Sequence, residues 1–328
     1  MKTMLGLFLL FFGFSLGACS SPTPVPAPTA TIAPTPVPVE DVILESVFTM
    51  QKAGALSLKT PYGVAVDSAG NIYLSDAGNS RILKLDAAGN LLAEWNKKGI
   101  GDGEFNSLGF GGLAVDEKGN VFVVDNGNHR IQKFDSQGKF ILAWGTDGDG
   151  EGQFIRAIGI AVDADGNVYV TDDGNPYVQK FDNEGNFLMR WGGKGKENGQ
   201  FSHATGIAVD DQGHIFVADY ENKKVQKFDA EGKLLTAWSM GEDIGIQGVP
   251  EGIAVDSQGR VFVTDYGTAR IQVFSNDGEM LWAWDKNNLA DGHFSRPTGI
   301  AFGSDGLIYI VNQAGNSLFA LRLPEQVK

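Results

Sequence analysis

From residue 41 onward the chain is written in short apolar runs separated by turns rich in Gly and Asp. One passage shows the pattern: LAV, VFVVD, IQKFD and FILAW follow one another between Leu113 and Trp144, with Gly119 and Gly138 in the turns. Runs of this length, rich in β-branched and aromatic residues, are strands. No stretch keeps apolar residues at a helical period over ten residues, so the pattern predicts almost no helix.

The passage recurs. Gly-apolar-Ala-apolar blocks begin at Gly63, Gly112, Gly159, Gly206, Gly252 and Gly299, at steps of 49, 47, 47, 46 and 47 residues. Thirteen residues after each anchor glycine stands Asp76, Asp125, Asp172, Asp219, Asp265 or Asn312. Four strands per repeat and a period in the forties predict a propeller blade. The fold class is therefore all-β, a six-bladed β-propeller of four-stranded antiparallel blades. Trp95, Trp144, Trp191, Trp238 and Trp284 end the fourth strand of five copies. The sixth copy stops after its third strand, and Val42 to Phe48 is left over upstream. Phe48 precedes Gly63 by 15 residues, the spacing of the Trp column. The N-terminal strand is thus expected to complete the last blade and to leave no open strand edge.

Before the repeats, residues 1–18 read as a signal peptide: Lys2, then an apolar run from Met4 to Leu16. That run is shorter than the roughly 20 residues a membrane-spanning helix needs. It ends Leu16-Gly17-Ala18-Cys19, which resembles the lipobox of bacterial lipoproteins. The resemblance implies cleavage before Cys19 and lipidation of its thiol. Residues 19–40 hold seven of the 12 prolines and read as an extended tether, leaving 41–328 as the propeller. The expected location is extracytoplasmic, with the lipid as the only link to the bacterial membrane, inner or outer. Cys19 is the only cysteine, so an intrachain disulfide and a Cys-rich zinc module are both excluded. A net charge of −14 argues against nucleic acid as partner.

The block GNVFVVDNGNHRIQKFD, Gly119 to Asp135, resembles the NHL repeat, and the likeness extends through all six copies. Copies depart from it: only the second keeps Asn128-His129-Arg130, Tyr177 and Ser317 replace the usual basic residue, and Gly303 replaces the first Asp. NHL propellers bind proteins or RNA through one face or serve as extracellular sensors. A minority are enzymes, among them a zinc-dependent lyase, and related six-bladed propellers are metal-dependent lactonases. The resemblance alone does not choose among these.

Several features bear on the choice. The Asp column could ring the channel as a metal site, or each Asp could cap its turn and pair with the basic residue five further on. A feature repeated in nearly every blade is better explained by the fold. The acidic loop Asp147 to Gly152 starts like a calcium loop, but its twelfth position is Ile158, where a bidentate acid is needed; it reads as a flexible connection between blades. The histidines, His129, His203, His214 and His293, fall in different columns. They do not supply three convergent zinc ligands, and no catalytic residue is carried over from the lyase.

Binding residues concentrate on loops carried by a rigid scaffold, so the columns that vary matter more. The loops entering the inner strands and the second-to-third strand turns reach one face. They supply Tyr62, Arg156, His203, Tyr220, Glu251, Tyr266 and Arg296 as candidate binding residues; Arg156, His203 and Arg296 suggest an anionic ligand group. The expected function is a monomeric, envelope-anchored scaffold or sensor that binds a protein, peptide or small molecule through that face. Catalysis is not expected, and neither is a cofactor. The alternative is a metal-dependent propeller enzyme, lyase or lactonase-like, with a divalent ion in the central channel and Glu251 as a ligand.

Overall fold

The computed structural model describes residues 44–241, 248–289 and 294–324. The expected signal peptide, Cys19, the tether and His293 lie outside the described residues. Six four-stranded antiparallel sheets follow one another around a ring. Among the described residues the only helical segments are three-residue 3-10 turns such as Ala77–Asn79 and Asn126–Asn128.

Each blade runs outward from its Gly-apolar-Ala-apolar strand. In the second blade the order is Leu113–Val115, Val121–Asp125, Arg130–Phe134 and Phe140–Trp144. The second strands are buried along their whole length, as in Ile215–Asp219 and Val261–Asp265. They lie between neighbouring blades and are apolar on both faces, so they read as continuous hydrophobic runs. The outer strands alternate, as Phe187–Gly192 does, because one of their faces meets water.

Ring closure follows the expectation. The strand Glu45–Met50 pairs antiparallel with Ser317–Arg322 and completes the sixth sheet. The closing strand also repeats the side-chain contact that joins the other blades. The indoles of Trp95, Trp144, Trp191 and Trp238 lie against Gly138, Gly185, Gly232 and Gly278 of the following blade. Phe48 lies against Gly89 in the same way, 3.2 Å from where a Cβ would stand. These turn glycines all have positive φ, Gly138 at 83° for example, so the turn and the indole both exclude a side chain.

The anchor glycines have a different reason. They form the wall of the central channel, where backbones of adjacent blades nearly touch. A Cβ on Gly63 would lie 3.0 Å from the Gly112 Cα, and one on Gly112 would lie 2.9 Å from the Ile158 carbonyl oxygen. Gly206 and Gly252 would collide with the carbonyls of Glu251 and Thr298. Hydroxyls stitch the same ring: Thr264 donates to the Thr298 carbonyl at 2.8 Å and Thr298 to the Tyr62 carbonyl at 2.9 Å. The channel is narrow, about 80 Å³, and lined chiefly by these glycines and by Val64, Leu113, Ile160, Ile207, Ile253 and Ile300.

Candidate functional site

The Asp column does not ring the channel. Asp76, Asp125, Asp172, Asp219 and Asp265 are fully buried at the ends of the second strands, and their carboxylates hold the loop that enters the inner strand. Asp172 accepts the backbone N–H groups of Ile155 and Arg156, both at 2.8 Å. Asp219 accepts those of Ser202 and His203, and Asp265 that of Val249 at 2.9 Å. Pairing with the basic residue five positions on holds in the first two blades, Asp76–Arg81 at 2.7 Å and Asp125–Arg130 at 2.9 Å. Elsewhere the carboxylate is satisfied by its turn, through Asn175, Asn222 or Thr268.

This clamp positions the variable residues. In the last four blades the residue after the clamp donates its N–H to the carbonyl three positions before the anchor glycine. The pairs are Asp173 to Arg156 at 3.0 Å, Tyr220 to His203 and Tyr266 to Val249 at 2.9 Å, and Gln313 to Arg296 at 3.2 Å. Two variable columns are thereby held side by side on one face, around the mouth of the channel.

Side chains of these turns and of the three residues before the anchor glycines enclose a cavity of about 170 Å³. Tyr62, His203, Tyr220, Glu251 and Tyr266, five of the seven residues the sequence singles out, line it. So do Phe110, Ile158, Asp173, Thr205 and Gln313. The walls are two aromatic pairs: Tyr62 with Phe110, ring centroids 5.6 Å apart, and Tyr220 with Tyr266, 6.1 Å apart. Glu251 is 7% exposed and accepts a short hydrogen bond from the Tyr62 hydroxyl. Burial, reinforced by the charge of Asp173, pushes its carboxyl up to about 7, against the opposing effect of the Tyr62 bond. The same burial and the neighbouring carboxylate hold the Tyr62 hydroxyl well above its ordinary range.

The other two predicted residues stand on the rim. Arg156 is ion-paired with Asp173, and the Arg296 guanidinium lies 5.5 Å from the centre of the Tyr266 ring. The pairing changes the electrostatic picture expected from sequence, because the charge of Arg156 is matched by Asp173. His203 is also turned toward Asp173, its Nδ1 3.4 Å from Oδ1. That separation brings no hydrogen bond, and Asp173 Oδ1 is buried without one.

The remaining histidines lie elsewhere. His129 turns its Nδ1 to the carbonyls of Phe154 and Ile155, and His214 pairs with Asp210 at 2.9 Å. Among the described residues no three His, Cys, Asp or Glu side chains converge as metal ligands. Glu251 and His203 therefore do not fit a three-ligand metal centre. The acidic loop Asp147–Gly152 is closed by its own chain: Gln153 accepts the Gly150 N–H at 2.9 Å, and Phe154 is fully buried. The corresponding loops end in the same way on Phe105 and Phe201, also fully buried.

The fold defines a six-bladed β-propeller. Four of its blades, the first, second, fourth and fifth, carry NHL repeats: the NHL repeat description matches residues 58–85, 111–134, 201–228 and 248–274. No curated protein matches the chain in sequence. Among solved structures it is similar to a streptogramin B lyase, with 15% identity over 84% of this chain and 98% of that one, at a TM-score of 0.58. It is similar to a gluconolactonase from Xanthomonas campestris at 19% identity, covering 87% and 91%, TM-score 0.60. It is also similar to virginiamycin B lyase from Staphylococcus aureus at 12% identity, covering 84% and 99%, TM-score 0.60. At these identities the likeness is one of fold.

Proposed function

We propose that this chain is an envelope-anchored NHL propeller that binds a small molecule, or a projecting group of a peptide or protein, in the cavity on its loop-bearing face. One observation carries the reading. The loops before the inner strands and the turns after the second strands, which vary from blade to blade, meet in a single cavity with buried carboxylates and paired aromatic rings, whereas a merely solvated rim would leave these groups exposed. Native mass spectrometry of the full chain, after incubation with a cell extract, tests it. Ligands captured by the wild type should be lost when Glu251→Gln and Tyr266→Leu are combined; identical capture would place binding elsewhere. Anchoring through Cys19 is part of the proposal. Cys19→Ser should move the protein from the membrane to the soluble fraction, and unchanged membrane association would refute the anchor.

A propeller enzyme is the second reading. It is favoured by the similar folds of a lyase and a lactonase and by Glu251, whose carboxyl is held near neutrality beside a tyrosine hydroxyl. A carboxyl so placed can take or give a proton near neutral pH. The lyase or lactonase-like form of this reading requires a metal. Elemental analysis of the full chain purified without chelator decides it: one tightly held divalent ion per chain would support the metalloenzyme, and a metal-free folded chain would sink it.

A further inference from the structure

Resting on the binding reading above, we infer that the cavity takes an organic cation, an alkylammonium head group seated between the two aromatic pairs and over Asp173 and Glu251. Acids and aromatic rings line the cavity, while the two arginines stand on its rim. Tyr62 with Phe110 and Tyr220 with Tyr266 present π faces and edges to the cavity, and such walls attract cations through the ring quadrupole. Both acids of the lining are at least nine-tenths buried, with Glu251 7% and the Asp173 side chain 9% exposed. Asp173 Oδ1 is buried with no hydrogen bond, 3.4 Å from the His203 Nδ1. A buried carboxylate oxygen left without a donor is costly, and a cation packed against Asp173 would offset that cost.

The local cations do not already fill that role. Arg156 is taken by the other oxygen of Asp173, Arg296 stands on the Tyr266 ring at the rim, and His203 is 3.4 Å from Asp173 Oδ1 without bonding it. A neutral ligand would leave the carboxylates as they are, and an anion would meet two acids in a desolvated pocket. An inorganic divalent ion would want more ligands than the two carboxylates, and although His203 stands beside Asp173, no three such side chains among the described residues are grouped to hold a metal ion. The size also fits a head group: a cavity of roughly 150 Å³ accommodates benzene, and this one measures about 170 Å³.

Calorimetric titration of the full chain at pH 8, where Glu251 is ionised, with three probes of similar size tests the inference: choline, its neutral isostere 3,3-dimethylbutan-1-ol, and the anion 3,3-dimethylbutanoate. Choline should bind at least roughly tenfold more tightly than the alcohol, about 1.4 kcal/mol, and the anion should bind most weakly. Glu251→Gln should remove most of the preference for choline while leaving the alcohol within about twofold. Tyr266→Leu should weaken choline more than the alcohol, which gives a second readout should the first variant fold poorly. Equal binding of choline and the alcohol, or tighter binding of the anion, would overturn the cation inference and leave the cavity as the binding site. If no probe binds but extract ligands are still captured through Glu251 and Tyr266, the cation inference fails alone. If capture is also independent of those residues, both readings fail.

Discussion

Replacing Glu251 by Gln tests the electrostatics of the cavity without changing its shape. Glu251 faces Tyr62, Asp173, Tyr220 and Tyr266, with Arg156 and His203 beyond Asp173 and Arg296 beyond Tyr266. Burial raises its carboxyl from 4.5 to about 7. Below about pH 4 the group is protonated in the folded and the unfolded chain alike, and it costs nothing. Between those values the unfolded chain ionises while the folded chain keeps its proton, so stability falls as pH rises. Above the folded value the whole cost is present. At about 1.4 kcal/mol per unit, the upward displacement corresponds to about 3 kcal/mol. A glutamine at 251 never ionises, and its Oε1 can still accept the Tyr62 hydroxyl. Wild type and Glu251→Gln should therefore melt together near pH 4 and diverge with rising pH. Near pH 8 the variant should melt roughly 6 °C higher, taking about 2 °C per kcal/mol for a domain of this size. Thermal melts across that range measure the difference, and other titrating groups cancel because they are common to both proteins. Parallel curves from pH 5 to 8 would show that Glu251 is ionised at no cost and would refute the burial argument.

Other perturbations separate the fold from the site. Asp219→Ala removes the acceptor for Ser202, His203 and Asn222; stranding those donors should cost about 3 kcal/mol and weaken ligand capture, both readable from melts and native mass spectra. Gly206→Ala forces a Cβ into the Glu251 carbonyl; the melting temperature should fall by an amount equivalent to roughly 2–4 kcal/mol, and an unchanged melt would mean the ring gives more easily than its packing implies. Removing Glu45–Met50 uncovers the buried strand Ser317–Arg322; size-exclusion chromatography should show association through the freed edge, and a clean monomer would argue against the closing role of that strand.

The repeating columns were legible because each answers a local demand that recurs in every blade. The anchor glycine is required by backbone approach at the channel, the Asp by the loop it holds, and the Trp by the turn glycine of the next blade. Tyr62, His203, Tyr220, Glu251 and Tyr266 stood out as aromatic or ionisable side chains on the loops and turns that vary between blades, and all five line one cavity. Phe110, Thr205, Asp173 and Gln313 stand in the same loops and turns. Their part depends on depth, which a repeat does not encode. The bond from Tyr62 to Glu251 joins residues 189 apart in sequence, and only the closed ring brings them together. The ion pair of Arg156 with Asp173 was within reach of sequence reasoning. The clamp sets the Arg156 carbonyl beside the Asp173 N–H within one blade, so a basic residue and an acid in these two columns of one blade stand within reach of each other.

The separation of columns carries a further consequence. Tyr62, Ile158 and Glu251 serve the ring through their carbonyls and the cavity through their side chains, so the lining can change without loss of the propeller. Each blade then contributes a different group, and six equivalent positions become an asymmetric site. The acids come from the third and fifth blades, and the aromatic pairs come from the first and second and from the fourth and fifth. The Tyr62 hydroxyl bonds Glu251 across the ring, so one acid and one aromatic wall are joined. The fold neighbours share the ring but are at most 19% identical among those compared. In the last four blades the turn after the second strand carries Asp173, Tyr220, Tyr266 or Gln313, so the chemistry changes from blade to blade at a position whose backbone bond is kept.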